Sequence, residues 1–382
     1  MALEPAGGAT FHVKQSGLSY LAVELESLRA QGLLRERLAP TDGAVRTFCS
    51  NDYLGLATTE LDGHAGGAGA SRLIMGDRAE HHALEDDVAR YMGREAALLF
   101  PSGYAANVGL LSALAGRGDL VVSDALNHAS IVDGARLSRA TVRIAPHLDA
   151  GAVEAALRDR SAFRRAFIVT ESYFSMDADS PDLVRLTALS REFDAALLVD
   201  EAHALGVLGP GGRGLCADPR VDADAVVVTL GKAFGTAGAI VAGSGLLRAW
   251  LWNRARSFVF TTGVSPSGAA HAARNVGRVE RSDELRVAVL ARAEQLRAGM
   301  LGLGLLPAGY GPIVPWVLGA PATALDAAAR LRVEGVLVQA IRPPTVPVGT
   351  ARLRFTVTAG HTAEEIEGLV AAIAKVLPCL RR

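Results

Sequence analysis

The residues of this chain best suited to chemistry stand at the ends of two apolar runs. Lys232 closes the run Ala225, Val226, Val227, Val228, Thr229, Leu230, Gly231. It is one of three lysines, with Lys14 and Lys375, among 39 basic residues; arginine supplies the rest. Such a run reads as a buried strand, and burial disfavours a charged ammonium. A lysine there is either a snorkelling or paired cation or an amine kept for Schiff-base chemistry. An earlier run, 195–199, ends in Asp200, Glu201, Ala202 and His203. The two strand ends thus offer one bound molecule an amine, a carboxylate and an imidazole.

The neighbours of these residues suggest what that molecule is. Thr229 precedes Lys232, and Gly231, Gly235 and Gly238 surround it; a hydroxyl beside close-packed backbone suits a phosphate anchor. A carboxylate such as Asp200, set against a pyridinium nitrogen, keeps a ring protonated and able to act as an electron sink, with His203 placed to reach the ring oxygen. The competing reading is an Asp helix cap beside a satisfied histidine. The same four letters, DEAH, occur in helicases, but that reading needs GxxxxGK[ST] upstream and the chain has none. Ser102, Gly103 and Tyr104 follow one strand and open a helix, where backbone amides can meet a phosphate. His128 lies just past another strand and can either stack on an aromatic ring or cap the next helix. Glu171 and Ser175 end a further strand and can hydrogen-bond a ligand; a solvated loop is the alternative. Arg352 and Arg354 share one face of a strand while Leu353 points the other way, so one of them can clamp a carboxylate. His81, His82 and Glu85 lack a further ligand at diagnostic spacing, and a solvated helix start is expected there rather than a metal. No GxSxG elbow is present.

The elements that must position these groups follow from periodicity. The runs 97–100, 120–123, 141–145, 166–170, 196–199, 225–229 and 238–242 read as strands. Helical stretches at 105–114, 131–139, 152–160 and 181–193 separate many of them, which predicts a mainly parallel sheet covered on both faces. Ligands of such sheets bind beyond the carboxyl ends of the strands, the rim that carries Ser102, Asp124, Glu171, Asp200 and Lys232. An N-terminal helix is expected within 17–38, a glycine-rich loop at 63–76, a helix at 80–92 and a helical connector over 266–303. The tail, with strands near 313–318, 336–340 and 351–357 and helices near 323–334 and 363–376, reads as a smaller α+β domain. The expected division is an N-terminal helical segment, 1–45, a large α/β domain, 46–285, and a small C-terminal domain, 286–382.

With 382 residues the chain is long for one domain. Its formal net charge of −1 argues against a dedicated nucleic-acid binder. Cys49, Cys216 and Cys379 are far apart and form no CxxC pair, so neither a zinc cage nor a disulfide framework is indicated and a cytoplasmic setting is expected. Residues 1–15 lack the basic-then-apolar pattern of a secretory signal. The uncharged stretch 96–116 is broken at Pro101, Ser102 and Gly103 and is better explained as strand, turn and helix than as a membrane span.

As a set, Asn51-Asp52-Tyr53-Leu54-Gly55-Leu56, Ser102-Gly103-Tyr104, His128-Ala129-Ser130, Ser175-Met176-Asp177, Asp200-Glu201-Ala202-His203 and Thr229-Leu230-Gly231-Lys232-Ala233-Phe234-Gly235 resembles the α-oxoamine synthases, fold-type-I enzymes that use pyridoxal 5'-phosphate. The tail, with Ala340-Ile341-Arg342-Pro343-Pro344-Thr345 and Gly349-Thr350-Ala351-Arg352-Leu353-Arg354, is similar to the branch that joins L-alanine to a pimeloyl thioester carried on coenzyme A or acyl carrier protein. Rival expectations are a relative using glycine or serine and an aminotransferase on the same fold. The resemblance implies that Lys232 tethers the cofactor and acts as general base, that Asp200 pairs with the ring nitrogen and that His128 stacks on the ring. It places His203, Ser175 and Glu171 around the cofactor and Gly103, Tyr104, Thr229 and Thr261 or Thr262 at its phosphate, the last from the neighbouring subunit of a homodimer. Arg354 is expected to bind the amino-acid carboxylate, with Arg35, His128 and Thr345 also touching substrate. It implies no metal, nucleic acid or membrane.

Overall fold

A computed structural model of the protein describes residues 17–30, 60–61 and 63–380. Two short strands, β1 (Glu60–Leu61) and β2 (His64–Ala65), form a ribbon. The main sheet contains β3 (Ala96–Phe100), β4 (Leu120–Asp124), β5 (Thr141–Ala145), β6 (Ala166–Glu171), β7 (Ala196–Asp200), β8 (Ala225–Thr229) and β9 (Ala239–Gly243). Their order across it is β3-β9-β8-β7-β6-β4-β5. Only β9 runs against its neighbours, pairing antiparallel with both β3 and β8. The seven apolar runs therefore assemble into one seven-stranded sheet. This is the fold-type-I architecture, a mainly parallel sheet with helices on both faces plus a smaller C-terminal unit.

Alternation along each strand divides its side chains between the two faces. In β8, Val226 and Val228 face one core and Ala225 and Val227 the other. The first core is covered by α2 (Ala79–Met92), α5 (Ala150–Leu157), α6 (Leu183–Glu192) and α9 (Pro266–Glu280), through Leu84, Val88, Leu157, Leu189 and Val276. The second is covered by α1 (Leu21–Ala30), α3 (Gly103–Leu114), α4 (Ala129–Ser138), α7 (Gly245–Arg254) and α8 (Arg256–Val259), through Leu21, Leu110, Ile131 and Leu251. Each fully buried valine or leucine contributes about 1.5–3 kcal/mol, so the central strands are held by packing on both sides and their ends are free to open into turns. The helices start where the sequence supplies acceptors for orphan amides: Ser102 accepts from Ala105, Asp182 from Arg185, and Ser265, just before Pro266, from Gly268.

The connector expected at 266–303 is two helices, α9 and α10 (Asp283–Gly302), interrupted at Arg281 and Ser282. The C-terminal unit has a three-stranded antiparallel sheet in the order β10 (Ile313–Gly319), β12 (Ala351–Thr356), β11 (Gln339–Ile341). It packs with α10, α11 (Pro321–Val333) and α12 (Ala363–Leu380) around Val314, Trp316, Leu353 and Ile373. Among the described residues no helix is long and apolar enough to cross a membrane, and no cluster of His, Cys, Asp and Glu is arranged to hold a metal. His81 is not at a solvated helix start. It is fully buried, accepts from the Arg78 amide through Nδ1 and lies 2.6 Å from the Val264 carbonyl through Nε2, while the neighbouring Glu85 pairs with buried Arg72. The Cys49 and Asn51 to Leu56 segment lies outside the described residues.

Candidate active site

Parallel pairing brings the chemistry-bearing strand ends side by side. Glu171, at the end of β6, is in register with Asp200, at the end of β7. Strand β8 stops at Thr229, as the run 225–229 predicts, and Lys232 sits three residues on, in the following turn. The turn returns into β9 through Gly238, whose φ is +102° and where a Cβ would crowd the Phe100 carbonyl at 3.3 Å. The positive φ strains any side chain placed there, and the close carbonyl leaves it little room. Lys232 is therefore open to solvent on one side, not enclosed in the core, although protein crowds its amine from the others. That crowding lowers its pKa; Asp200 and Glu171 oppose the shift, and Arg354 adds to it. The Lys232 Nζ lies 2.7 Å from His203 Nε2. Burial and the charges of Lys232 and Arg354 push His203 down to about 2, so its imidazole is neutral.

Asp200 is 7% exposed and firmly held. Asn107 Nδ2 donates to its Oδ2 at 2.6 Å, and the Ala202 amide donates to Oδ1 at 2.8 Å. Asn107 also donates to Ser130 Oγ. It escaped notice in the sequence, where the one signal was an amide in the otherwise apolar helix α3. Glu171 accepts from the His128 amide at 2.7 Å. Burial and the adjacent Asp200 raise its pKa to about 8, so Glu171 keeps its proton at neutral pH. His128 does cap a helix: its Nδ1 accepts from Ser130 N at the start of α4. Its residue remains exposed, so the cap and a role toward a ligand coexist.

The raised Glu171 carboxyl gives a signed pH dependence. Its folded-state pKa lies above the unfolded value of 4.5, so its contribution to stability is fully present below that value and is lost as pH rises through the folded one. Glu171→Gln mimics the protonated acid and still accepts from the His128 amide. The thermal midpoint of the Gln variant, measured on cofactor-free protein, is expected to gain on wild type steadily between about pH 5 and about pH 8. A constant difference across that range contradicts the assignment.

The C-terminal unit closes over this rim with two arginines. Arg352 is buried and donates to the Asp177 carboxylate at 2.6 Å and to the Met176 carbonyl at 2.8 Å. Arg354 Nε donates to the Ser175 carbonyl at 2.6 Å, and its charge is felt by both Lys232 and His203. Arg352 is thus consumed in joining the two units, while Arg354 holds the Ser175 backbone and its charge reaches the amine. A cleft of about 530 Å³ lies beside them, lined by His128, Glu171, Ser175 and Met176 from the sheet's rim and by Thr345 and Val346 from the C-terminal unit. Arg342, at the head of the wall that carries Thr345, is exposed, and its carbonyl accepts from the Thr345 amide at 3.0 Å. The sequence signal for it was present in the run Arg342-Pro343-Pro344-Thr345.

These residues fit a phosphorylated pyridine aldehyde. The amine and the neutral imidazole meet at one point, and the anchored carboxylate lies one strand away from the amine's turn. Gly103 and Tyr104 open α3, where first-turn amides and the helix dipole favour an anion. Gly103 also has open space, since a Cβ there would meet only Thr229 Cβ at 3.9 Å. Thr229 Oγ1 accepts from the Gly231 amide at 3.3 Å on the other side of that space. Thr262 is exposed, in the loop before α9. Arg35 lies outside the described residues.

Comparison with known proteins agrees with this geometry. Residues 45–373 match the family profile described as Aminotransferase class I and II. The 8-amino-7-oxononanoate synthase of Methylococcus capsulatus is 48% identical over 354 residues, 88% of this chain and 90% of that protein. That of Anaeromyxobacter dehalogenans is 45% identical over 96% of this chain and 97% of that protein. Among solved structures, the Sphingomonas wittichii serine palmitoyltransferase superposes with a TM-score of 0.80 at 28% identity, covering 97% of this chain and 99% of that one. The 8-amino-7-oxononanoate synthase of Francisella tularensis does so with a TM-score of 0.72 at 26% identity, covering 89% and 100%.

Proposed function

The chain belongs to the class I and II aminotransferase family and, within it, to the 8-amino-7-oxononanoate synthases, and from that premise we propose the part each residue of its site plays. The enzyme uses pyridoxal 5'-phosphate to condense L-alanine with a pimeloyl thioester, releasing 8-amino-7-oxononanoate, CO2 and the free thiol, a step of biotin biosynthesis. When bound, the cofactor supplies an electron sink for charge developing at the alanine Cα.

The residues of the chain do the rest. Lys232 would hold the cofactor through its amine, and the same amine would take the proton from the alanine Cα. Its lowered pKa supports both tasks, because an amine must be unprotonated to attack and to accept a proton. Asp200 holds a proton on the ring nitrogen; its fixed hydrogen bonds to Asn107 and Ala202 keep its charge at one place. His128 offers its exposed ring as a stacking platform, while Ser175 and His203 contact the ring oxygen. Glu171, protonated, secures the His128 backbone at the cofactor's side without adding a second negative charge beside Asp200. Gly103, Tyr104 and Thr229 seat the phosphate. Thr262 serves the phosphate held by the second subunit of a homodimer, a role its exposure supports.

Arg354 binds the alanine carboxylate, and the effect of its charge on the amine supports this. Thr345 touches the acyl substrate in the cleft, and Arg35 is a further substrate contact. The proposed division at 1–45, 46–285 and 286–382 puts the rim in the large domain and Arg354 and Thr345 in the small one; the separate core beginning at Val289 supports it. The scattered cysteines support a cytoplasmic setting. The observation that carries the reading is the 2.7 Å meeting of Lys232 and His203 at the strand end beside anchored Asp200.

A thiol-release assay tests it. The holoenzyme is offered L-alanine, glycine or L-serine with pimeloyl coenzyme A or pimeloyl-acyl carrier protein, and the product is weighed by mass spectrometry. L-Alanine is expected to exceed the other two by at least about tenfold in kcat/KM, since a pocket sized for one methyl gains about that factor. Equal use of the three amino acids, or build-up of the pyridoxamine form without thiol release, contradicts the proposal. The same assay decides between the two acyl carriers.

A further inference from the structure

His147 stands outside the machinery described so far, yet it joins three of the strand ends that build it. Its two ring nitrogens face two carboxylates: Nδ1 lies 2.9 Å from Asp124 Oδ1, and Nε2 lies 3.1 Å from Asp179 Oδ2. A neutral imidazole has one N–H and cannot donate to both, so this arrangement requires the imidazolium. The two carboxylates favour that form and, against the effect of burial, push His147 up to about 10. Its ring also stands edge-on to Phe174, with centroids 4.5 Å apart.

Each partner belongs to a loop that carries a site residue. Asp124 ends β4 and accepts from the Leu126 and Leu148 amides, at 2.8 and 2.9 Å, so it ties the segment leading to His128 to the turn containing His147. Asp179 closes the loop that contains Ser175: the Phe174 amide donates to the Asp179 carbonyl, and the Ala178 amide donates to the Phe174 carbonyl. On its far side that loop is gripped by Arg352 and Arg354. The clamped turns also carry backbone strain. Leu148 and Ala178 both have φ of +59°, the left-handed region that side chains avoid. Such residues persist where their surroundings over-determine them, often beside functional sites.

We infer that His147 is a positioning residue for the condensation: as a cation bridging Asp124 and Asp179, it fixes the Phe174 to Asp179 loop so that Ser175 meets the cofactor's ring oxygen. This rests on the role proposed above for Ser175. His147 touches neither substrate nor cofactor in this scheme and acts through the loop alone.

The test compares four holoenzymes: wild type, His147→Gln, Ser175→Ala and the double variant. Three readouts are taken: visible circular dichroism of the bound cofactor, kcat and KM for L-alanine, and the thermal midpoint. Gln removes the charge and can serve only one carboxylate well. His147→Gln is expected to alter the cofactor's dichroism and to lower kcat about tenfold, because small displacements of a positioned group are costly. In the Ser175→Ala background the same change is expected to lower kcat by less than about twofold, the non-additivity of residues acting as one unit. Losses that multiply in the double variant, or a His147→Gln enzyme with wild-type dichroism and kcat, overturn the inference. So does a silent Ser175→Ala beside an impaired His147→Gln. If His147→Gln does not fold, Asp179→Asn cuts the same bridge at its more exposed end and must give the same pattern. Failure of the wild type to condense alanine would count against the proposed reaction, while the dichroism cycle would still decide the clamp.

Discussion

Lys232→Ala is expected to yield a folded protein that has lost turnover by at least about 10⁴-fold, the upper range for removing a general base, with loss of the covalent tether added to it. The fold should survive because Lys232 lies in an open turn after β8: its side chain meets His203, and the bond from the Gly235 amide to its carbonyl is kept by alanine. The packing of β8 is carried by the buried Val226, Val227 and Val228, which the change leaves in place. The variant should bind the cofactor reversibly and release it on gel filtration, whereas wild type retains it. Added primary amines are not expected to restore more than a small part of the rate, since the base must act from a fixed position. Thermal midpoint, elution volume and thiol release together check this. Turnover within about tenfold of wild type would remove Lys232 from the chemistry.

Asp200→Asn ranks second in expected effect, with a loss of about 10²–10³-fold in kcat, the range for one well-placed electrostatic group. The change keeps size and shape and removes the charge. Its structural cost should be small but real: Asn107 and the Ala202 amide both donate to Asp200, and an asparagine offers them only one acceptor oxygen. The diagnostic readout is spectroscopic. A neutral amide cannot hold the proton on the ring nitrogen, so the bound cofactor's visible band should shift while the thermal midpoint changes little. Glu171 sits directly beside Asp200 in the paired register but cannot substitute, because its side chain is engaged with the His128 backbone and keeps its own proton. A D200N enzyme with an unshifted band and near-normal kcat would show that the ring nitrogen is served by another group.

The parallel strands were legible in the sequence for a physical reason. A strand covered on both faces must be apolar along its whole length, so runs such as 196–199 and 225–229 stand out. Their carboxyl ends then point to Asp200 and to the turn bearing Lys232. The sharing of one face by Arg352 and Arg354 also follows from strand alternation. Which of the two is locked does not, because Asp177 comes from a loop 175 residues away. The same obstacle hides the His147 bridge, assembled from Asp124 and Asp179 on two other loops, and the Arg72–Glu85 pair, whose burial turns an apparent solvated helix start into a packed polar cluster. Strand β8 ends at Thr229, where the run 225–229 placed its end, and Lys232 follows on the rim. Local pattern fixes elements and their ends; contacts between distant loops depend on topology that periodicity does not encode.

The account depends most on the amine at the end of β8 being the group that carries the cofactor. Reducing the wild-type holoenzyme with borohydride, digesting it and mapping the modified peptide by mass spectrometry reads this directly. The pyridoxyl phosphate adduct is expected on Lys232 alone, at close to one per chain, and none on Lys14 or Lys375. An adduct on either of those two lysines, or a reduced protein with unmodified Lys232, contradicts it.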